Sequence, residues 1–285
     1  MSISTAAPAR SEAAAASSRP AVRRGPRPGS GRGRRILLGA LPPVAIIVLW
    51  QLAKSIGLLA YDSVPSPLDV ASALGGLLVS AVFWDAVTHT LIAVLAGWAI
   101  GSAVGLVLGG ALGVWRGVRR WSMTSVQVLR AIPAISFVSL AVIVFSQTLQ
   151  MEIVIAAWVA VWPVAISTMQ GIIGVSPLHR EVAHSLRLST ASRVLKIDLP
   201  SAAPTVLVAL RLSLAGALAL AIVAEMIGNP AGIGYQLVQQ QLALRPDAMF
   251  AYVIVTGFIG LGLNALVQAV APFVPGAVAR RGAVT

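Results

Sequence analysis

The chain has 285 residues, of which 57% are hydrophobic and 11% charged, and it carries no cysteine. So little charge cannot cover a water-facing surface, so the chain faces lipid; the missing cysteines exclude disulfides, thiolate metal sites and cysteine nucleophiles. Its formal charge of +12 is strongly basic, and where those charges fall decides whether nucleic acid is needed to explain it.

Residues 1–35 are rich in Ala, Pro, Gly and Arg with no apolar period, and read as a disordered basic cytoplasmic tail ahead of a transmembrane domain over 36–285. Membrane lipid is the expected contact of this tail, through anionic headgroups. Arg34-Arg35 before an apolar run has the form of a twin-arginine signal, yet a basic flank is also what the orientation rule asks of a first span. A bilayer-crossing helix needs roughly 20 apolar residues, and such windows fall at about 36–53, 88–113, 123–146, 152–173, 200–228 and 249–272. The expectation is an all-α polytopic membrane protein with about six transmembrane helices. With both termini inside, 17 of the 21 Lys and Arg lie in cytoplasmic segments, only Lys54 and Arg245 lie outside, and Arg130 and Arg211 lie within spans. Topology therefore accounts for the basic charge, and no nucleic-acid partner is invoked.

The second span carries Gly97, Gly101, Gly105, Gly109 and Gly113 at spacing four, a groove that lets another helix approach backbone to backbone. Two readings stay open: intrachain packing, or a smooth ridge along which helices slide during transport. His89, between Thr88 and Thr90 at the outer end of this span, reads as an interfacial polar cap. Ionisable groups inside spans mark interior or pathway positions. Arg130 precedes Ile132-Pro133, where the missing proline amide opens a kink. Arg211 lies eleven residues past Pro200, about 16 Å along a helix, too deep to snorkel. Glu225, fourteen residues on, is about 21 Å from Arg211, so each needs another partner. Asn264 and Gln268 share a face and suggest an interhelix hydrogen bond. The nine acidic residues are scattered, without paired carboxylates or a hydrolase motif.

Between two apolar stretches lies the polar insert 181–200, EVAHSLRLSTASRVLKIDLP. Leu178, Val182 and Leu186 share one helical face while His179, Arg180, His184 and Arg187 cover the rest, the pattern of a short docking helix. Ser176-Pro177 supplies an N-cap and first-turn proline, Ser189 caps a second short helix through Arg193, Val194, Leu195 and Lys196, and Pro200 opens the next span.

Glu181-x-Ala183, Leu186, then Leu199-Pro200 about a dozen residues later resembles the cytoplasmic loop of permease subunits in binding-protein-dependent ABC importers. The family usually has Gly where this chain has Arg187, and Gly there would supply the positive φ of a tight break. The resemblance runs from roughly Val64 to Asn264 and is nearest to the nitrate, sulfonate and taurine branch. It rests on Pro65-Ser-Pro67, the glycine-rich span, Leu129-Arg-Ala-Ile-Pro133, Leu210-Arg211, and Ala224-Glu225-Met226 followed by Gly232-Ile-Gly234. That branch often has a Phe-Gly-Ile-Gly-like turn where this chain reads Phe145-Ser-Gln-Thr-Leu.

The resemblance implies a type I ABC importer transmembrane domain in a bacterial inner membrane, paired with a second copy as a homodimer. It further implies an ABC ATPase subunit inside and a solute-binding protein outside. Residues 176–199 would be the coupling-helix loop, with Glu181, Ala183, Leu186, Arg187, Leu199 and Pro200 meeting the ATPase; Arg211, Glu225 and Arg130 are the pathway or gate candidates. Lysine occurs only at Lys54 and Lys196, so the Gly-x-x-x-x-Gly-Lys phosphate cradle is missing. The chain is therefore expected to be no enzyme and to hold no cofactor of its own, with ATP and Mg bound by the partner subunit. The expected solute is a small anion such as a sulfonate, taurine or nitrate. A thiamine precursor or similar heterocycle is the alternative; a proton-coupled secondary transporter using Glu225 and a non-transporting scaffold are the rivals from other classes.

Overall fold

The computed structural model describes residues 32–59 and 61–273, in which helices and turns account for the chain and no strand occurs. The expected tail lies outside the described residues except for 32–35, which begin the first helix. The chain divides into two units, residues 1–49 and 50–285. The first is represented by most of α1 (Arg32–Ser55), which carries Pro42 and Pro43 and is apolar over Leu41–Ser55. Leu41, Val44, Ile46, Ile47, Val48 and Leu49 are all exposed, an apolar surface on every side that suits a lipid-facing helix.

The second unit continues through α2 (Pro67–Leu78), α3 (Ala81–Val114), α4 (Arg116–Ala131), α5 (Ala134–Phe145), α6 (Leu149–Ile173), α7 (Pro177–Ser185), α8 (Thr190–Arg193), α9 (Leu199–Gly228), α10 (Gly232–Leu242) and α11 (Pro246–Val270). Among the described residues four helices are long and apolar enough to cross a bilayer: α3, α6, the continuous stretch Thr190–Gly228, and α11. Helices α4 and α5 pass the same test only as a pair and meet at 83°, the geometry of a broken span or of a re-entrant loop. The described residues thus give four or five spans, with the apolar part of α1, Leu41–Ser55, shorter than a full crossing, in rough agreement with the six expected. One detail goes beyond expectation. Ile132 before Pro133 is extended (ψ 124°), the conformation that the proline ring favours in the residue ahead of it, so the expected kink is a full break and Arg130 lies in the last turn of α4. Pro200 stands in the first turn of α9, as expected, and helical structure reaches back from it through a π-helical turn, Val194–Asp198, to α8.

The core is the contact of α3 with α6. A side-chain carbon on Gly97 would lie 2.6 Å from the Ile153 carbonyl oxygen, and on Gly105 2.7 Å from that of Val161; Gly101 and Gly109 meet the carbonyls of Ala157 and Ala165, and Gly113 meets Ile172. The glycine ladder thus faces a matching row of backbone oxygens at spacing four, and the two helices run parallel. Removing every Cβ along this line is what lets the backbones touch. Helix α9 runs antiparallel to α6, with Ala202 against Gly171 and Gly228 against Met151. Around this trio Val94, Ala156, Leu214, Ala217 and Leu218 close a buried cluster.

The Pro65-Ser-Pro67 segment is a helix start. Ser66 Oγ accepts from the Asp69 amide at 3.2 Å while Asp69 accepts from the Ser66 amide at 3.0 Å, a reciprocal cap on α2. The hydrogen bonds from the Ser66 side chain and backbone hold the Asp69 carboxyl below its ordinary value.

Candidate functional site

Two sites emerge at opposite ends of the bundle. At the end where α6 finishes and α9 begins lies the segment from α7 to α8. Ser176 caps α7 by accepting from the His179 amide, and Ser189 caps α8 by accepting from the Ser192 amide. Leu178, Val182 and Leu186 are 66%, 44% and 64% exposed, whereas Ala183 is 3% exposed. The apolar row faces outward, and α7 is seated on its own chain through Ala183. Glu181, Leu186, Arg187 and Leu199 are exposed, and Pro200 is half-buried.

Between α7 and α8 the chain turns through Arg187, whose φ is +47°. The Arg187 amide donates to the His184 carbonyl at 2.9 Å and the Leu188 amide to the Ala183 carbonyl at 3.1 Å, the paired bonds of a left-handed helix stop. The glycine-type turn is therefore built with an arginine. A non-glycine residue held there costs about 1–2 kcal/mol, so Arg187→Gly is expected to raise stability by about 1 kcal/mol. A thermal unfolding midpoint that does not rise would contradict this. Leu244 (φ +54°) ends α10 with the same bond pattern. Ser146, at the position of the expected Phe-Gly turn, also has positive φ, +58°.

At the far end, α3, α6 and α9 bring His89, Glu152, Glu225 and Asn229 together. Glu225 is buried; its Oε1 accepts from Thr90 Oγ1 at 2.7 Å and its Oε2 from the Gly234 amide at 2.7 Å, while Thr90 Oγ1 accepts from the Ile233 amide at 2.9 Å. Glu225 and Thr90 thus satisfy two first-turn amides of α10, where a helix leaves donors unpaired and its dipole favours an anion. Gly232 has φ +87°, and a side-chain carbon there would run into the Glu225 carboxyl; this is the physical content of the Ala-Glu-Met and Gly-Ile-Gly motifs.

Glu152 is fully buried. Its Oε1 lies 3.1 Å from His89 Nε2 and accepts from Asn229 Nδ2, and its Oε2 has no hydrogen-bond partner. Ligand-type atoms of His89, Glu152 and Glu225 lie within 4.8 Å of one another, so these are the groups that could hold a cation, although both Glu225 oxygens already accept hydrogen bonds. The expectation of scattered carboxylates is corrected here, because two of them share one buried site. His89 is corrected too: it is the partner of a buried carboxylate rather than an interfacial cap. Glu152 escaped sequence reading because it sits in the first turn of an apolar span, where a carboxylate passes for an interfacial group. The one available signal was its apolar surroundings.

Arg211 and Glu225 make no ion pair, in line with their separation along α9. Arg211 lines a cavity of about 520 Å3 with Asn264, Val208, Leu212, Leu214 and Leu261, and its Nε is buried without a hydrogen bond. Arg130 is exposed in the last turn of α4. Asn264 and Gln268 are exposed, and neither makes an interhelix hydrogen bond among the described residues, contrary to expectation.

Residues 101–275 match the family described as binding-protein-dependent transport system inner membrane component. The aliphatic sulfonates transport permease protein SsuC of Bacillus subtilis (strain 168) is 29% identical over 222 residues, covering 78% of this chain and 80% of that protein. Its namesake from Escherichia coli (strain K12) is 32% identical over 218 residues, 76% of this chain and 83% of that protein. In fold, the chain is similar to a subunit of a bacterial alginate ABC transporter solved with a periplasmic protein, with a TM-score of 0.60 at 18% identity over 84% of this chain and 95% of that one. Lipid-facing helices, a polar turn at one end of the bundle and this match over more than half the length agree: the chain belongs to the binding-protein-dependent transport system inner membrane component family, as a permease subunit of an ABC importer.

Proposed function

We propose that this permease imports a small anion, an aliphatic sulfonate first among them with taurine and nitrate as variants, delivered by an external binding protein and driven by an ATPase docked on α7 and α8. The observation that carries the reading is the outward row of Leu178, Val182 and Leu186 on a capped helix seated through Ala183. Exposed apolar side chains on an otherwise polar cytoplasmic segment favour a protein partner. Because α8 continues without a break into α9, a push on that segment tilts the helix that carries both Arg211 and Glu225. Two copies in a homodimer, with both termini cytoplasmic, would enclose the path, and alternating access would follow from rigid-body motion. Arg211, with Asn264 in its cavity, is the group that would meet an anion there; a mid-span guanidinium without a carboxylate partner favours a solute of negative charge.

The test is uptake by proteoliposomes containing the permease with its ATPase and binding protein, offered taurine, an alkyl sulfonate, nitrate and a pyrimidine. ATP-dependent entry of an anion is expected, and entry of the pyrimidine alone would overturn the solute assignment. Leu178→Ala with Leu186→Ala should weaken ATPase binding at least tenfold, because burying one leucine at an interface contributes about 1.5–3 kcal/mol. Glu181→Lys, on the exposed face, should lower uptake while the protein still inserts. Ala183 is a poorer probe, since added bulk there acts first on the seating of α7. Unchanged ATPase binding in the leucine variant would remove the docking surface from α7.

A further inference from the structure

A cavity of about 280 Å3 opens at the same end of the bundle as α7 and α8, lined by Gly113, Val114, Arg116, Arg119, Arg193 and Asp198 among others. Three guanidinium groups there face one carboxylate. Arg119 Nη1 donates to the carbonyls of Leu112 at 2.9 Å and Gly113 at 3.3 Å, which ties it to the end of α3. Arg193 Nε donates to the buried Asp198 at 3.1 Å. These bonds fix the two side chains in place without using their donors up. Beyond the Arg193–Asp198 ion pair, the terminal nitrogens of Arg193 and Nη2 of Arg119 make no hydrogen bond among the described residues, and Arg116 makes neither a hydrogen bond nor an ion pair.

With Arg116, Arg119 and Arg193 against Asp198, the lining carries two positive charges in excess. Its level in the membrane is marked by Trp115 and Trp121, 56% and 83% exposed, since exposed indoles settle at the headgroup region. Guanidinium forks match phosphate oxygens in pairs, and basic pockets between spans on the cytoplasmic side accept lipid headgroups.

We propose that this cavity binds a phosphate group, held by Arg116 and the free edges of Arg119 and Arg193, so that it joins the α3–α4 corner to the helix that leads from α8 into α9. The same chemistry is offered by the headgroup of an anionic phospholipid and by free phosphate. This inference goes beyond the import reading and is independent of which solute crosses.

Full-length permease, delipidated in neutral detergent, is titrated with phosphatidylglycerol, with diacylglycerol and with inorganic phosphate. Bound lipid is counted by native mass spectrometry, and protection of Arg116 from phenylglyoxal is read by peptide mapping. One phosphatidylglycerol per chain is expected, preferred over diacylglycerol roughly tenfold, in keeping with a charge-assisted hydrogen-bond pair. Arg116→Gln should remove most of that preference and Arg116→Lys should retain part of it. Protection by phosphatidylglycerol alone assigns the site to a headgroup, and protection also by millimolar inorganic phosphate assigns it to the soluble anion. Arg116 left unprotected by every phosphate-bearing ligand, or a lipid preference that Arg116→Gln leaves unchanged, would overturn the proposal.

Discussion

Gly101→Ala is expected to lower the stability of the permease by about 3 kcal/mol, and Gly101→Leu to leave no folded protein. Overpacking a well-filled core costs about 1–3 kcal/mol when side chains can adjust, but here the added carbon meets the backbone of Ala157, which has no rotamer to change. Helix α6 would have to withdraw along its length, weakening the contacts at Gly97 and Gly105 as well. Gly110 lies on the same helix with nothing within 4 Å of an added carbon; Gly110→Ala should be neutral or gain up to about 1 kcal/mol of helix propensity. Thermal midpoints of the two variants in detergent, side by side, check the contrast. Equal midpoints would sink the packing account. A Gly101→Ala protein of normal stability that no longer supports uptake would instead favour a sliding contact.

Glu225→Ala is expected to cost about 3–5 kcal/mol, while Glu225→Gln costs about 1 kcal/mol. Alanine leaves the Gly234 amide and the Thr90 hydroxyl without their acceptors in a buried site, each worth about 1–3 kcal/mol when orphaned, and opens a cavity besides. Glutamine keeps a carbonyl for one donor and lacks only the second acceptor and the charge at the start of α10. The measurement is stability by denaturant or heat, paired with uptake. Should glutamine destabilise as much as alanine, the negative charge itself is what holds α10. Should alanine prove as stable as the native protein while uptake fails, Glu225 acts in the path and not as a cap.

Most of the architecture was legible in the sequence because spans are set by a one-dimensional quantity, the length of an apolar run against the thickness of a bilayer. Helices α3, α6, α9 and α11 lie where the windows put them, and the serine caps of α7 and α8 followed from local hydrogen bonding. The prolines were legible as well: the kink expected at Pro133 is the 83° bend between α4 and α5, and Pro200 lies in the first turn of α9. His89 was misread and Glu152 passed over because they lie 63 positions apart, and no local pattern links them.

By itself the sequence determined that the chain lives in lipid, that it is helical, and that one polar segment interrupts the apolar spans, since each follows from the residues present in a single stretch. Only the tertiary structure decided that the glycine ladder faces the α6 carbonyls, that Glu225 caps α10 beside a second buried carboxylate, and that arginines from the start of α4 and the end of α8 line one cavity. Those are distances between segments remote in the chain, and they exist only once the helices are packed.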